Sequence, residues 1–332
     1  MRFSIYIIMC ICCLGVVDCS SEKPKDKRVV TAKVQSAPYE LLVVADKEWL
    51  KTTVGQELVN VVEAPIEGLP QSEGNFRVTY INSYSFEGTF KTYANIVLVD
   101  VNRKHQKAGM TIRTNVYARP QVVLTLSAPT GEALVDYAKE HRQQLLARLN
   151  ENEFGREREL LKRTHSGVVV TKAKAMFGTS IYVPKDVDDL KVGKDFLWAS
   201  ASKQDFRQNL CLYTIPMQDM TADRLVEVRD SVMHINIPGG REGQWMETDM
   251  RTVSASMVKV DEQDVLSVRG LWDMREDAMG GPFVCYVYPD YTNGRLLLAE
   301  GFVFAPDEKK RPIIRQMEAA LQTLTFVADT HK

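Results

Sequence analysis

The residue whose type and setting most directly suggest chemistry is Cys19. Met1-Arg2 gives a short positive start, Phe3 to Val17 is almost unbroken apolar sequence, and the chain turns hydrophilic at Ser20-Ser21-Glu22-Lys23. A cysteine closing such a run is the expected acceptor of a bacterial lipoprotein signal, in which the cysteine is acylated and, once the chain is cleaved just before it, becomes the new N-terminus. Cys10, Cys12 and Cys13 lie too early in the run to serve, and Asp18 stands where small residues are usual. The run is about 15 residues, short of the roughly 20 that a spanning helix needs, so a signal segment fits it better. More than one acyl chain on Cys19 anchors stably where a single chain is marginal.

A second group of residues with chemical potential lies between Arg229 and Phe283. It comprises Arg229-Asp230, Pro238-Gly239-Gly240-Arg241, Trp245, Arg269-Gly270-Leu271-Trp272 and Met279-Gly280-Gly281-Pro282-Phe283. Arginine offers a rigid fork for carboxylate or phosphate, tryptophan stacks on sugars or cations, and glycine lets backbone approach a ligand. Arg229, Arg241, Trp245, Arg269, Trp272, Gly280 and Gly281 are therefore the candidate lining of a cleft for a glycan or an anionic small molecule. The competing reading is structural: a local Arg229-Asp230 salt bridge, a core Trp272, and glycines required by turns. Cys211 and Cys285 lie in separate apolar, strand-like runs, and either a disulfide or two buried thiols is compatible with them.

The familiar catalytic signatures are absent. No Gly-x-Ser-x-Gly elbow, His-Glu-x-x-His helix, P-loop or Gly-x-Gly-x-x-Gly occurs. His105, His141, His165, His234 and His331 each lack a second ligand at metal spacing. Asp186, Asp188 and Asp189 read as turn and helix-cap carboxylates rather than a cation site. Neither metal nor cofactor is expected, and enzymatic activity is disfavoured, with carboxylate-based hydrolysis as its best form. A net charge of −1 argues against nucleic acid as a partner.

The elements that must position these residues follow from apolar spacing. Residues 1–18 form the expected signal peptide and 19–38 a charged flexible tether. From Tyr39 to residue 165 the chain alternates short strands with helices: a strand at Glu40–Asp46, a helix from Trp49 to Val62, and strands at Phe76–Tyr84, Ile96–Asp100, Met110–Tyr117 and Gln121–Leu126. A helix capped by Thr130 follows, kinked or ended at Gly155. Residues 166–328 are richer in strands, with helices at Thr221–His234 and Pro312–Leu324 and a hairpin turn at Asn293-Gly294. The fold class expected is α+β, mostly antiparallel sheets covered by helices, in two packed halves.

Several of these segments resemble uncharacterised lipoproteins of Bacteroidota that are grouped as a domain of unknown function. The matching residues are Glu40 to Asp46, Gly68-Leu69-Pro70-Gln71, Arg229-Asp230 with Ile237-Pro238-Gly239, Arg269 to Trp272, Met279 to Phe283, Gly301 to Pro306, and Lys310-Arg311. Tyr93-Ala94-Asn95 stands where that family carries a basic stretch. The second half, through Ser180 to Pro184 and Phe196-Leu197-Trp198, is similar to the PsbP/Mog1 type of α/β/α sandwich. The resemblance implies a membrane-anchored protein of the cell envelope, on the periplasmic face or outer membrane, and supplies no catalytic residues. The function expected is non-enzymatic binding or assembly, with the lipid bilayer held through acylated Cys19 and an envelope protein or glycan as partner. The alternative is a module that captures a glycan or anionic small molecule in the Arg/Trp cleft.

Overall fold

Short apolar runs punctuated by glycine, proline and capping residues become two sheets, one in each half of the chain. The computed structural model describes residues 32–202 and 207–327. The signal segment, Cys19, most of the tether and His331 lie outside the described residues. The first half contains β1 (Glu40–Val44), α1 (Lys47–Leu50), α2 (Thr53–Val62), β2 (Arg77–Ile81), β3 (Asn95–Val101), β4 (Gly109–Thr114), β5 (Val122–Ala128), α3 (Gly131–Glu140) and α4 (Arg142–Thr164). The strand order is β2-β1-β3-β5-β4. β1, β2, β3 and β5 are parallel, and only β4 runs against its neighbour. The most continuously apolar strand, β3, takes the centre, where both faces are covered.

The second half contains α5 (Gly167–Phe177), β6 (Thr179–Ser180), β7 (Asp189–Gly193), β8 (Phe196–Ser202), β9 (Arg207–Pro216), α6 (Ala222–Asn236), β10 (Met246–Val260), β11 (Gln263–Met274), β12 (Gly280–Asp290), β13 (Arg295–Phe304), α7 (Arg311–Leu321) and β14 (Thr325–Phe326). Seven strands pair antiparallel in the order β10-β11-β12-β13-β9-β8-β7. The chain is thus an α+β protein, mostly antiparallel, in two packed halves. β6 and β14 form a separate small pair.

Each half has a core on both faces of its sheet. On one side of the large sheet, α5 and α7 contribute Val169, Phe177, Met317 and Leu321. On the other, α6 contributes Leu225 and Met233. The small sheet buries Leu41, Val43 and Leu124 beneath α2, α3 and α4. Its opposite face holds Leu42, Ile96 and Val123, with Phe86, Phe90 and Tyr117 packed against them.

Helix boundaries show where local chemistry overrode periodicity. The single helix expected over Trp49–Val62 is two, because Asp46 caps α1 through the Glu48 and Trp49 amides and Thr52 caps α2 through the Gly55 amide. Thr130 caps α3 as expected. Gly155 does not end α4, which continues to Thr164; the break falls earlier, at His141. At about 1.5 Å per residue, α4 is long enough to serve both halves. Its Leu145 and Leu149 belong to the small-sheet core and its Leu161 to the large-sheet core. Among the described residues, no helix is long and apolar enough to cross a membrane.

The disulfide that the sequence left open is not formed: Cys211 and Cys285 are free and buried. Cys285 pairs across the ladder with Glu300, and Glu300 pairs with Cys211. One strand therefore separates the cysteines, which puts them about 10 Å apart, beyond the roughly 7 Å that a disulfide tolerates. Burial pushes both thiols well above their ordinary pKa. Neither is expected to react with a thiol reagent until the protein unfolds. Peptide mapping after alkylation should find 211 and 285 labelled only in denaturant, and labelling of either in native protein would contradict the buried placement.

Candidate functional site

The residues singled out between Arg229 and Phe283 do not line one cleft. Arg229 leaves α6 to meet Glu300 on β13, with Nε and one terminal nitrogen 2.8–3.1 Å from the carboxylate, and neither side chain is exposed at all. Its other terminal nitrogen donates to Thr248 Oγ1 at 2.8 Å, and the guanidinium lies 4.1 Å from the Phe283 ring centre. Asp230 is a secondary partner at 3.3 Å. Burial pushes the Glu300 carboxyl above its ordinary pKa although Arg229 pulls the other way. A pair this desolvated is structural, and removing one member costs about 3–5 kcal/mol.

Trp272 is also core, edge-on to Phe302 at 5.5 Å, with its indole N–H directed at the Val303 carbonyl. Arg269 lies three positions earlier on β11, so strand alternation sends it to the opposite face, where it meets Glu318 of α7 at 2.5 Å. Trp245 is half-buried between His234, stacked at 4.7 Å, and Arg275 at 4.5 Å. Arg241 is exposed, and its backbone amide donates to Gln244 Oε1 within a turn. Of the seven, Gly280 and Gly281 border a cavity. The Arg/Trp cleft is thus dismantled by the alternation of β11 and by the burial of Arg229 and Trp272.

Sequence reasoning missed Glu300 and the seam between the halves. A lone carboxylate inside Leu296-Leu297-Leu298-Ala299-Glu300-Gly301-Phe302 was the available signal, since an ionisable group amid continuous apolar strand must be paired.

The seam is built by the segment from Ala64 to Phe76 docking on α7. Gly68, at φ 75°, brings the chain against the backbone of Gly270, and Leu69 packs on the large-sheet core. Glu73 accepts the backbone amides of Lys310 and Arg311, completing the N-terminus of α7. Arg311 donates to the Gly74 carbonyl at 2.9 Å, and Arg315 donates to Asn75 Oδ1 at 2.7 Å while lying over the Phe154 ring of α4. Arg158 and Glu157 of α4 bond Gln322 and Gln316 of the second half. Glu318 takes both Arg269 and Arg315. Burial alone would raise the Glu318 carboxyl, but the two guanidiniums outweigh it and hold it below the ordinary value.

Two cavities open on either side of Lys310 and Arg311. The larger, about 390 Å³, is bounded by Pro70 and Gln71 of the first half, and by Asp273, Gly280, Gly281 and Lys310 of the second. Gly281 is obligatory, because a Cβ there would stand 2.0 Å from the Val303 carbonyl oxygen. The smaller, about 310 Å³, lies between Tyr39, Glu157, Gln208, Arg311 and Gln316. Segments that carry the family resemblance, at 68–71, 269–272, 279–283, 301–306 and 310–311, all reach the larger cavity or its walls. Among the described residues, no group of three or more His, Cys, Asp or Glu is placed to hold a metal ion.

The fold and seam define a class: two α+β units that share one long helix and leave polar cavities where they meet. Two family models match the chain, each described as a domain of unknown function: DUF8532 over residues 35–162 and DUF4837 over residues 166–323. No curated protein matches. Solved structures similar to it include a variant of protein Mog1, 9% identical over 46% of this chain and 93% of that one, with a TM-score of 0.29. The Ran-binding protein Mog1p of Saccharomyces cerevisiae is also 9% identical, over 45% of this chain and 90% of that one, again at 0.29. Superpositions this loose carry no functional argument.

The depressed pKa of Glu318 fixes a pH dependence. Its ionised form contributes stability that is complete above the unfolded carboxylate value, near 4.3, and is lost as pH falls through the lower folded value. Glu318→Gln should cost about 3 kcal/mol at neutral pH, and the difference from wild type should shrink as pH falls below about 4. Urea unfolding across that range checks it, and a difference independent of pH would show that the carboxylate charge is not what holds the seam.

Proposed function

We propose that the protein is a lipid-anchored, non-enzymatic binding component of the bacterial cell envelope, of the kind found among Bacteroidota lipoproteins, that holds an envelope protein or glycan at the larger seam cavity. The observation that carries this reading is that cavity: both halves supply its walls, and the backbone of Gly280 and Gly281 forms part of its lining. Asp273 and Asp277 offer acceptors to hydroxyl or amide donors, and Lys310 adds a cation at its margin. Small-molecule capture, first placed in an Arg/Trp cleft, is better located at the seam.

The anchor rests on the sequence alone: a positive start, a short apolar run and Cys19 at its end. Acylation would fix the chain to a membrane, with the segment to Ala32 as tether. Cys19→Ser is expected to move the protein from the membrane to the soluble fraction, and continued sedimentation with membranes would remove the anchor from the reading. Gln71 is exposed on the cavity wall, so Gln71→Trp should fill the mouth with a stability change within about 0.5 kcal/mol. Crosslinking in native envelopes should then lose the partner that wild type retains. An unchanged crosslinked set would exclude this cavity as the contact.

A further inference from the structure

We propose that the sheet face of the first half covered by Phe86, Phe90, Tyr93 and Tyr117 lies against a bilayer surface rich in anionic lipid. The proposal rests on the Cys19 anchor for its geometry and on the side chains of this face for its chemistry. α2, α3 and α4 cover one face of the small sheet. The other is covered by two short 3-10 turns, Ser83–Ser85 and Gly88–Thr92, and by the turn after β4. Together they lay a thin aromatic layer over Leu42, Ile96 and Val123. Its four rings are half-buried, and Tyr84, in the first turn, is 82% exposed. Aromatic side chains with a wet rim are what membrane interfaces select.

Cations stand around that layer. Lys91 lies over the Phe86 and Tyr117 rings at 5.8 and 5.6 Å. Arg113 pairs in register with Val123, so it stands on the same face of the sheet. Arg119 follows Tyr117 by two residues and pairs with Lys33 through a β-bridge. Among the described residues, none of these four has a carboxylate within ion-pair distance. The acids nearby are mostly taken: Glu40 meets Arg77, and Asp100 meets His105 at 2.9 Å, which leaves Glu87. Residues 82–120 hold six basic residues against two acidic, whereas 34–81 and 121–332 hold 30 basic against 38 acidic. A chain of net charge −1 is therefore polarised, and an anionic surface attracts this face while repelling the rest.

The occupant follows from where the chain leaves this face. The Val34 N–H donates to the Arg119 carbonyl and the Gln35 N–H to that of Thr92, both at 3.1 Å. Buried Gln121 holds the same corner, donating to the Lys91 and Tyr93 carbonyls and accepting from the Tyr117 amide. Residue 32 thus emerges among Lys33, Lys91 and Arg119. Thirteen residues separate it from Cys19, at most about 45 Å of chain, for a body roughly 50 Å across. The far side of the protein cannot face the bilayer without wrapping that whole length around the body. Residues 20–31 add four basic residues against two acidic, continuing the same charge toward the lipid. Tyr84 and the ring edges then meet the headgroup level while lysine and arginine answer its charge.

Hydrogen exchange of the full chain, extracted from membranes and reconstituted, tests this in vesicles of phosphatidylcholine with or without phosphatidylglycerol. Peptides covering 83–93 and 113–119 should exchange at least about fivefold more slowly with the anionic lipid, the equivalent of one cation held at its surface. The β12–β13 connection at Tyr291, itself 79% exposed, should not change. Lys33, Arg113 and Arg119 are exposed, so Lys33→Glu, Arg113→Glu and Arg119→Glu together should abolish the difference while circular dichroism stays that of wild type. Equal exchange in the two vesicles, protection at Tyr291 instead, or a triple variant protected as wild type would overturn the proposal. So would protection of the same peptides by polyglutamate and not by anionic vesicles, which would make an acidic protein the occupant. Flotation separates this face from the anchor. A chain that floats with anionic but not neutral vesicles loses the anchor and keeps the face, and one that floats with neither loses both.

Discussion

Glu318 is a carboxylate almost wholly removed from water, and it is matched from two directions. Arg269 reaches it from the large sheet and Arg315 from one turn earlier on α7. Arg315 then carries the link to Asn75, which also accepts from Asn150 of α4. Three partially dehydrated charges thus find their hydrogen bonds only if the sheet, α7 and the first half sit in one arrangement. Hydrophobic burial would hold α7 against the sheet in many rotations and shifts; this network leaves one. The placement of Lys310 and Arg311 follows from it, and with that placement the shape of both cavities.

The far face of the large sheet repeats the logic with Arg229 and Glu300. There the pair is deeper, flanked by two thiols and by Tyr213, and it ties α6 to the centre of the sheet. Both networks place arginine opposite glutamate on sheet faces that are otherwise apolar. Such pairs contribute less to net stability than to uniqueness of packing, because the cost of dehydration offsets most of their attraction. This is why arginines that suggest ligand chemistry in the sequence serve register in the fold.

Much of the architecture was legible from residue order. Thr130 and Thr221 mark helix starts, and Asn293-Gly294 marks the hairpin that joins β12 to β13. α5 was not, because Gly167 and a run of three valines carry little helix preference of their own, and packing on the sheet decides the matter. The parallel pairing of β1, β2, β3 and β5 is likewise a matter of crossover geometry, not of local pattern. Of the site, Gly280 and Gly281 were within reach of sequence, but the cavities were not. Glu73 and Asn75 lie far from Arg311 and Arg315 in the chain and meet them only where the halves come together. Asn95, where a basic stretch was expected, is structural as well, bonded to Glu153 and Asn152.

The Glu73 carboxylate closes the first turn of α7 from another half of the chain. A helix start is ordinarily finished by a residue next to it in sequence; here the finishing group is borrowed across some 240 positions. The halves are therefore not interchangeable modules, whatever their separate family histories. Cut free, the second half would carry its most buried helix with an open end at the place where both cavities meet. Separation of the halves would therefore also dismantle both cavities, so the shape of each depends on the chain being whole.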